Sequence, residues 1–146
     1  MGRSILAVFL GMFLFMLTVI ALEHAALAVY PPPPGLDGSG DSGDLHAAMG
    51  KMPAGAFLLL ILGWVVGAAD GAWLAATVAR RARIVHGLIV GGVAMAGAIM
   101  IMLHIPHPVW IWVASLVSIP AAAYAGAWFA NRGKATGPGS TSPQVP

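Results

Sequence analysis

The chain lacks cysteine and is poor in charged residues. The absence of cysteine excludes disulfides, thiolate chemistry and cysteine-ligated metal sites. Lys, Arg, Asp and Glu make up only 8% of the 146 residues, against roughly 25% in an ordinary soluble domain. This low charge excludes a disordered chain, a nucleic-acid-binding protein and a typical cytosolic enzyme. Hydrophobic residues make up 59% of the sequence, so we expect a small integral membrane protein.

The sequence also lacks the motifs of common catalytic sites. It has no nucleophile–base arrangement, phosphate-binding loop, metalloprotease helix or dinucleotide-binding fingerprint. Its glycines follow helix-packing periods instead of a strand–turn–helix context. We therefore predict a protein that is not an enzyme and carries no cofactor.

Four long apolar runs account for most of the chain. They cover about residues 4–30, 53–79, 84–103 and 109–130. A helix rises ~1.5 Å per residue, so each run is long enough to cross a hydrocarbon core of ~30 Å. The runs lack the alternation of barrel strands, and lipid admits only helices or closed barrels. The prediction is an all-α, four-helix transmembrane domain over residues 1–132, followed by a disordered cytoplasmic tail at 133–146.

Basic residues predict the orientation of the bundle. Six of the seven Lys and Arg residues fall on one side of the predicted membrane: Arg3, Arg80, Arg81, Arg83, Arg132 and Lys134. Only Lys51, in the loop at residues 31–52, falls on the other side. The positive-inside rule therefore places both termini in the cytoplasm and the loop outside.

The first span has a second interpretation, as a cleaved signal peptide. Arg3, an apolar stretch and a small-residue site at residues 26–28 fit that pattern. However, the apolar run exceeds the usual length of about 7–15 residues, and Glu23 and His24 lie close to the cleavage point. We favour a retained helix, with cleavage as the alternative.

Several short segments carry a resemblance to known proteins. They are YPPPPGLD at residues 30–37, PAGAF at 53–57, GW at 63–64 and HIPHPVW at 104–110. Together they resemble a group of small, uncharacterised bacterial inner-membrane proteins, over most of the chain up to about residue 130. The resemblance implies a four-helix bacterial inner-membrane protein, and it implies no activity and no functional residue.

Small residues recur at every fourth position in the spans. Four residues advance a helix by about 40° beyond one turn, so such residues form a slanted groove that admits another helix closely. We predict a glycine zipper, with Leu60 off its groove. Its members are Gly63, Gly67, Gly71, Ala75, Gly87, Gly91, Ala114, Ser118, Ala122 and Gly126. We favour packing within the chain, with self-association as the alternative.

Asp70 is an acidic residue deep inside a span. It follows Gly63 by seven residues, so it shares the glycine face and should point at another helix. A carboxylate at this depth costs at least ~2.5 kcal/mol and should be paired, hydrated or protonated. Tyr124 and Ser118 of the fourth span are predicted to lie at membrane depths on either side of Asp70 and to be its hydrogen-bond partners. We favour a tie between helices, and the alternative is a proton site with Glu23 at its outer entrance.

Four histidines lie on the predicted outer side: His24, His46, His104 and His107. Imidazoles ligate zinc and copper, and His46 with Met49 and Met52 on one helical face would suit Cu(I). No spacing matches an established metal site, so we favour interfacial histidines that hold no metal. A metal site, or a haem between His24 and His104, is the alternative.

The composition and the packing motifs lead to one functional hypothesis. The expected partners are the lipid bilayer, a second copy of the chain or other membrane subunits, and no nucleic acid. We predict a structural, accessory or interaction subunit that works through small-residue helix faces. The alternative is a small proton-coupled transporter or channel that uses Asp70.

Overall fold

Four long helices make up the described part of the protein. The computed structural model describes residues 2–31, 47, 49–79, 81–105 and 107–132. Within them lie α1 (Gly2–Val29), α2 (Ala54–Val78), α3 (Arg83–His104) and α4 (Val109–Arg132), and no strand. Each helix is long and apolar enough to span a membrane. The predicted all-helical, four-helix fold is confirmed.

Some predicted features lie outside the described residues. They include His46 and most of the loop at residues 31–52, Arg80, Lys134 and the tail at 133–146. The predictions made for them stay predictions.

Prolines and one left-handed residue mark the ends of the helices. Pro53, with φ −67° and ψ 147°, directly precedes α2, where a missing backbone N–H costs nothing. Ala82 adopts a left-handed conformation with φ 47° immediately before α3. At the other end of α3, Ile105 is extended, as expected for a residue that precedes a proline. Pro120 lies inside α4, and the helix continues through it.

Helices that follow one another in the chain run antiparallel. Gly11 of α1 lies against Gly71 of α2, and Tyr30 at the end of α1 lies against Gly55 near the start of α2. As residue numbers rise along α1 they fall along α2, so the two helices point in opposite directions. The contact of Gly87 with Ala127 begins a similar antiparallel pairing of α3 with α4.

Helix α2 is the centre of the bundle. Both α2 and α3 contact all three other helices, and α2 packs against them more extensively, whereas α1 and α4 make no contact with each other within the described residues. The cross-section is therefore a rhombus, with α1 and α4 at its far corners. A continuous buried stripe runs along α2 and consists mainly of small residues: Gly63, Trp64, Gly67, Ala68, Gly71, Ala72, Ala75 and Ala76.

The outside of the bundle is apolar on every helix. Large side chains such as Phe9 and Phe13 on α1, Val93 on α3 and Val117 on α4 are exposed. A soluble protein rarely exposes a contiguous apolar surface of this extent. Lipid is the solvent that suits it, and this agrees with helices of membrane-spanning length.

Basic side chains gather at one end of the bundle. Because the helices alternate in direction, Arg3, Arg81, Arg83 and Arg132 share this end, which we call the basic end. Nε of Arg3 donates to the carbonyl oxygen of Val78 at 3.0 Å, so a cation caps the carboxyl terminus of α2. The guanidinium of Arg132 lies 3.5 Å from the centre of the Trp128 ring. Four of the five described Lys and Arg residues therefore lie at the basic end, and the orientation of the bundle in a membrane stays a prediction.

Candidate functional site

The α1–α2 interface brings two backbones into contact. A Cβ atom added to Gly71 would lie 2.6 Å from the carbonyl oxygen of Gly11, and one added to Gly11 would lie 2.6 Å from that of Gly71. Gly67 contacts Phe15 in the same way, with the ring 3.0 Å from the added atom. Real Cβ atoms essentially never come within 3.0 Å of such atoms, so Gly11 and Gly71 require glycine in the present packing, whereas at Gly67 the neighbours would have to shift by only a few tenths of an ångström. Gly63 is less crowded, with Leu22 at 3.5 Å.

Glycines also set the contacts of α3 and α4. A Cβ on Gly87 or Gly91 would overlap Ala127 or Ala123, respectively. A Cβ on Gly126 would overlap the carbonyl group of Ala69 on α2. The structure thus uses Gly87, Gly91 and Gly126 for close packing between helices.

The buried stripe of α4 is displaced from the predicted one. Ala114, Ser118 and Ala122 are only partly buried. The fully buried residues are Ser115, Ile119, Ala123 and Ala127. The first three each come one position after a predicted residue. One residue is a rotation of about 100°. Small residues occupy both registers, so the sequence alone does not distinguish them.

Leu60 lies on the packed face of α2, contrary to the prediction that it lies off the groove. It is partly buried against the main core cluster. The reason is helical geometry, because Leu60 precedes Gly67 by seven residues and is rotated from it by only about 20°. Leu62, which is 46% exposed, does point away from the core.

Asp70 is bonded to α1. Oγ1 of Thr18 donates to Oδ2 of Asp70 at 2.5 Å. Helical side chains lean towards the amino terminus of their own helix, so on antiparallel helices these two lean towards each other. Oδ1 of Asp70 is buried and has no hydrogen-bond partner among the described residues. The carboxyl group thus ties α1 to α2 through one of its two oxygens.

The predicted partners of Asp70 on α4 are not in place. The contact between Ala69 and Gly126 puts Asp70 level with the residue after Gly126, and α2 and α4 run in the same direction. Ser118 is therefore ~13 Å away along the axis, by the helix rise. Tyr124 is 51% exposed, and within the described residues neither it nor Ser118 bonds Asp70.

The bond of Thr18 to Asp70 was not predicted from the sequence, although one feature of the sequence points to it. It is the one hydroxyl side chain in the apolar run at residues 5–22. A buried carboxyl group needs a donor, and an isolated hydroxyl on a neighbouring span is a natural one.

Glu23 lies apart from Asp70, on α1. It is five residues beyond Thr18, which is ~8 Å further from the basic end by the helix rise. It lines a cavity of about 290 Å³ between the end of α1 and the start of α2. The two acidic residues therefore belong to different places in the bundle.

The described histidines share one hydrogen-bonding pattern. Nδ1 of His24, His86, His104 and His107 lies 2.7 to 2.9 Å from a backbone carbonyl oxygen. A carbonyl oxygen only accepts, so each Nδ1 carries the proton of its bond. In the part of the chain that the structure describes, no three His, Asp or Glu side chains group closely enough to hold a metal ion. His46 lies outside that part.

The Asp70 site brings together one carboxyl group and one hydroxyl, from Asp70 and Thr18. Together they can hold or exchange a proton. No protein-family model, curated protein or solved structure matches this chain. The function is therefore inferred from the geometry of the helices and the Asp70 site.

The bond between Thr18 and Asp70 predicts a difference between two threonine substitutions. Thr18→Val keeps the side-chain shape but leaves Asp70 without its donor, and we expect a loss of about 1–2 kcal/mol in the free energy of unfolding. The matched control is Thr77→Val, because Thr77 bonds only the Trp73 carbonyl of its own helix. Unfolding in mild detergent measures both variants. Equal stability of the two would contradict a tie between the helices.

Proposed function

We propose that the protein is a non-enzymatic subunit of a bacterial inner membrane that acts as a structural, accessory or interaction partner of other membrane helices. Both termini lie in the cytoplasm, because four of the five described Lys and Arg residues cluster at one end of the bundle. The orientation and the bacterial location are part of this proposal.

One face of α3 carries the proposal. A Cβ added to Gly92 has no atom within 4 Å beyond its chain neighbours and its own helix backbone, whereas Gly87 and Gly91 on the same helix are packed tightly. Ala96 is also exposed, and it is rotated from Gly92 by only about 40° around the helix. Small residues that face outward leave room for another helix to approach closely, and this contact is what drives association in lipid. We call Gly92 and Ala96 the open α3 face.

The interior supports a structural role. Small residues fill the contacts between α2 and its neighbours, and Asp70 is bonded within the bundle. Asp70 lines neither the cavity at Glu23 nor the surface cavities beside Ala82 and Ser4. A closely packed bundle fits a scaffold whose outer faces bind other helices.

A substitution on the open α3 face tests the proposal. Gly92 is exposed and a Cβ added there meets no atom from another helix, so we expect Gly92→Leu not to lower the melting temperature. We expect reduced association, because the new side chain separates the helices that meet there. The tagged full-length protein is purified from native membranes in mild detergent, and mass spectrometry identifies the proteins that co-purify with it. The fraction of the chain that forms a dimer is measured in the same preparation.

The control for this experiment is Val117→Leu. It also places a leucine at an exposed position, but on α4. Wild-type levels of the same partners, or of the dimer, with Gly92→Leu would contradict the proposed face.

A proton-coupled transporter is the second candidate. The observation that favours it is the unbonded, buried Oδ1 of Asp70, since intramembrane acidic groups often carry protons.

Flux measurements distinguish the two candidates. For a structural subunit we expect no cation or proton flux above that of empty liposomes, at any pH gradient. Asp70→Asn keeps the shape and removes the titratable group. Reproducible wild-type flux that disappears in Asp70→Asn, at an unchanged folded yield, would replace the structural role with transport.

A further inference from the structure

A cavity lies at the end of the bundle opposite the basic end. It is about 290 Å³ in volume and opens between the last turns of α1 and the first turns of α2. Its walls include Glu23, Tyr30, Met49, Met52, Phe57 and Leu60. We call it the Glu23 cavity. Its volume is near the lower limit for small-molecule sites, which is roughly 300 Å³.

The described walls of the cavity are apolar apart from two groups. Glu23 and Tyr30 are the two residues with polar side-chain groups, and the other described lining residues are Ala, Leu, Met and Phe. A carboxylate only accepts hydrogen bonds and attracts positive charge. Lys51 precedes Met52 in the chain, but it is exposed and does not line the cavity.

Both aromatic rings of the cavity are held in place by the fold. Gly55 leaves the space that the Tyr30 ring occupies, because a Cβ there would overlap the Tyr30 hydroxyl. Phe57 is buried, and its ring meets the rings of His107 and Trp110 edge-on, with centroids 6.2 Å apart in each case. Fixed aromatic rings favour cations at their faces and lose little entropy on binding.

We infer that the Glu23 cavity binds a small organic monocation with an apolar body. Its body fills the space between Met49, Met52 and Leu60, while its charge lies near the Glu23 carboxylate. An anion would be repelled by that carboxylate, and a neutral apolar molecule would leave it without a counter-charge. This inference is independent of the open α3 face and goes beyond the proposed role of the bundle.

Benzyltrimethylammonium is a suitable probe, since it joins one permanent positive charge to one aromatic ring. It would be titrated by calorimetry into the full-length protein in nanodiscs of zwitterionic lipid, which do not concentrate cations at their surface. We expect saturable binding of one probe per chain. Benzenesulfonate, a similar ring with a negative charge, should not bind.

Two variants and one control identify the site. Glu23→Gln keeps the shape and removes the charge, and we expect affinity to fall roughly tenfold. Ala26→Trp fills the cavity from α1 and should abolish binding. His24→Gln changes the exposed neighbour of Glu23, outside the cavity, and should bind as the wild type does.

Three results would overturn the inference. They are no saturable binding by the folded wild type up to millimolar probe, unchanged affinity in Glu23→Gln, and an equal loss in His24→Gln. Glu23→Gln alone keeps the test decisive if Ala26→Trp does not fold.

Discussion

The close approach of α1 to α2 at Gly11 and Gly71 is the contact on which the rest of the bundle depends. Lipid is as apolar as the helix surfaces, so burying apolar side chains gives helices no reason to associate in a membrane. What remains is direct packing, which is strongest where backbones meet. The carbonyl oxygens of Gly11 and Gly71 occupy the space that side chains would fill. The same kind of contact joins α2 to α4 at Gly126, and α2 becomes the centre of the structure.

The position of the acidic group follows from that approach. Only because α1 lies so close to α2 does the Thr18 hydroxyl reach Asp70. The bond satisfies one carboxyl oxygen inside the bundle, and the second is buried without a described partner. Packing and polar chemistry are thus coupled: a change that separates the two helices also removes the donor from Asp70.

The sequence predicted the four helices, and several of the glycines that it singles out lie at close contacts. The apolar runs match the observed helices to within two residues, the largest differences being at the start of α1 (4 against 2) and the end of α4 (130 against 132). These features are local, because a span needs about 20 apolar residues in sequence. Gly71, Gly87 and Gly126 could be predicted as packing residues for the same reason, because each belongs to a series of small residues four positions apart. All three lie at close contacts.

Features that depend on how two helices are aligned were harder to predict. The Thr18 donor and the rotation of α4 both require the register between helices, which no single helix encodes. The Glu23 cavity likewise joins the end of α1 to the start of α2 and to Met49 and Met52. Leu60 is a different case, since it precedes Gly67 by seven residues, and this spacing alone places it on the glycine face of α2.

Stability of Gly71→Ala is the most direct test of the account. The added methyl group would lie 2.6 Å from the Gly11 carbonyl oxygen, and the overpacking should cost about 1–3 kcal/mol of unfolding free energy in mild detergent. Gly97→Ala is the matched control, because nothing lies within 4 Å of its added atom. It should be neutral, or more stable by up to about 1 kcal/mol from helix propensity. A Gly71→Ala protein as stable as the wild type, or an equal loss in Gly97→Ala, would contradict the claim that backbone contact at Gly71 holds the bundle together.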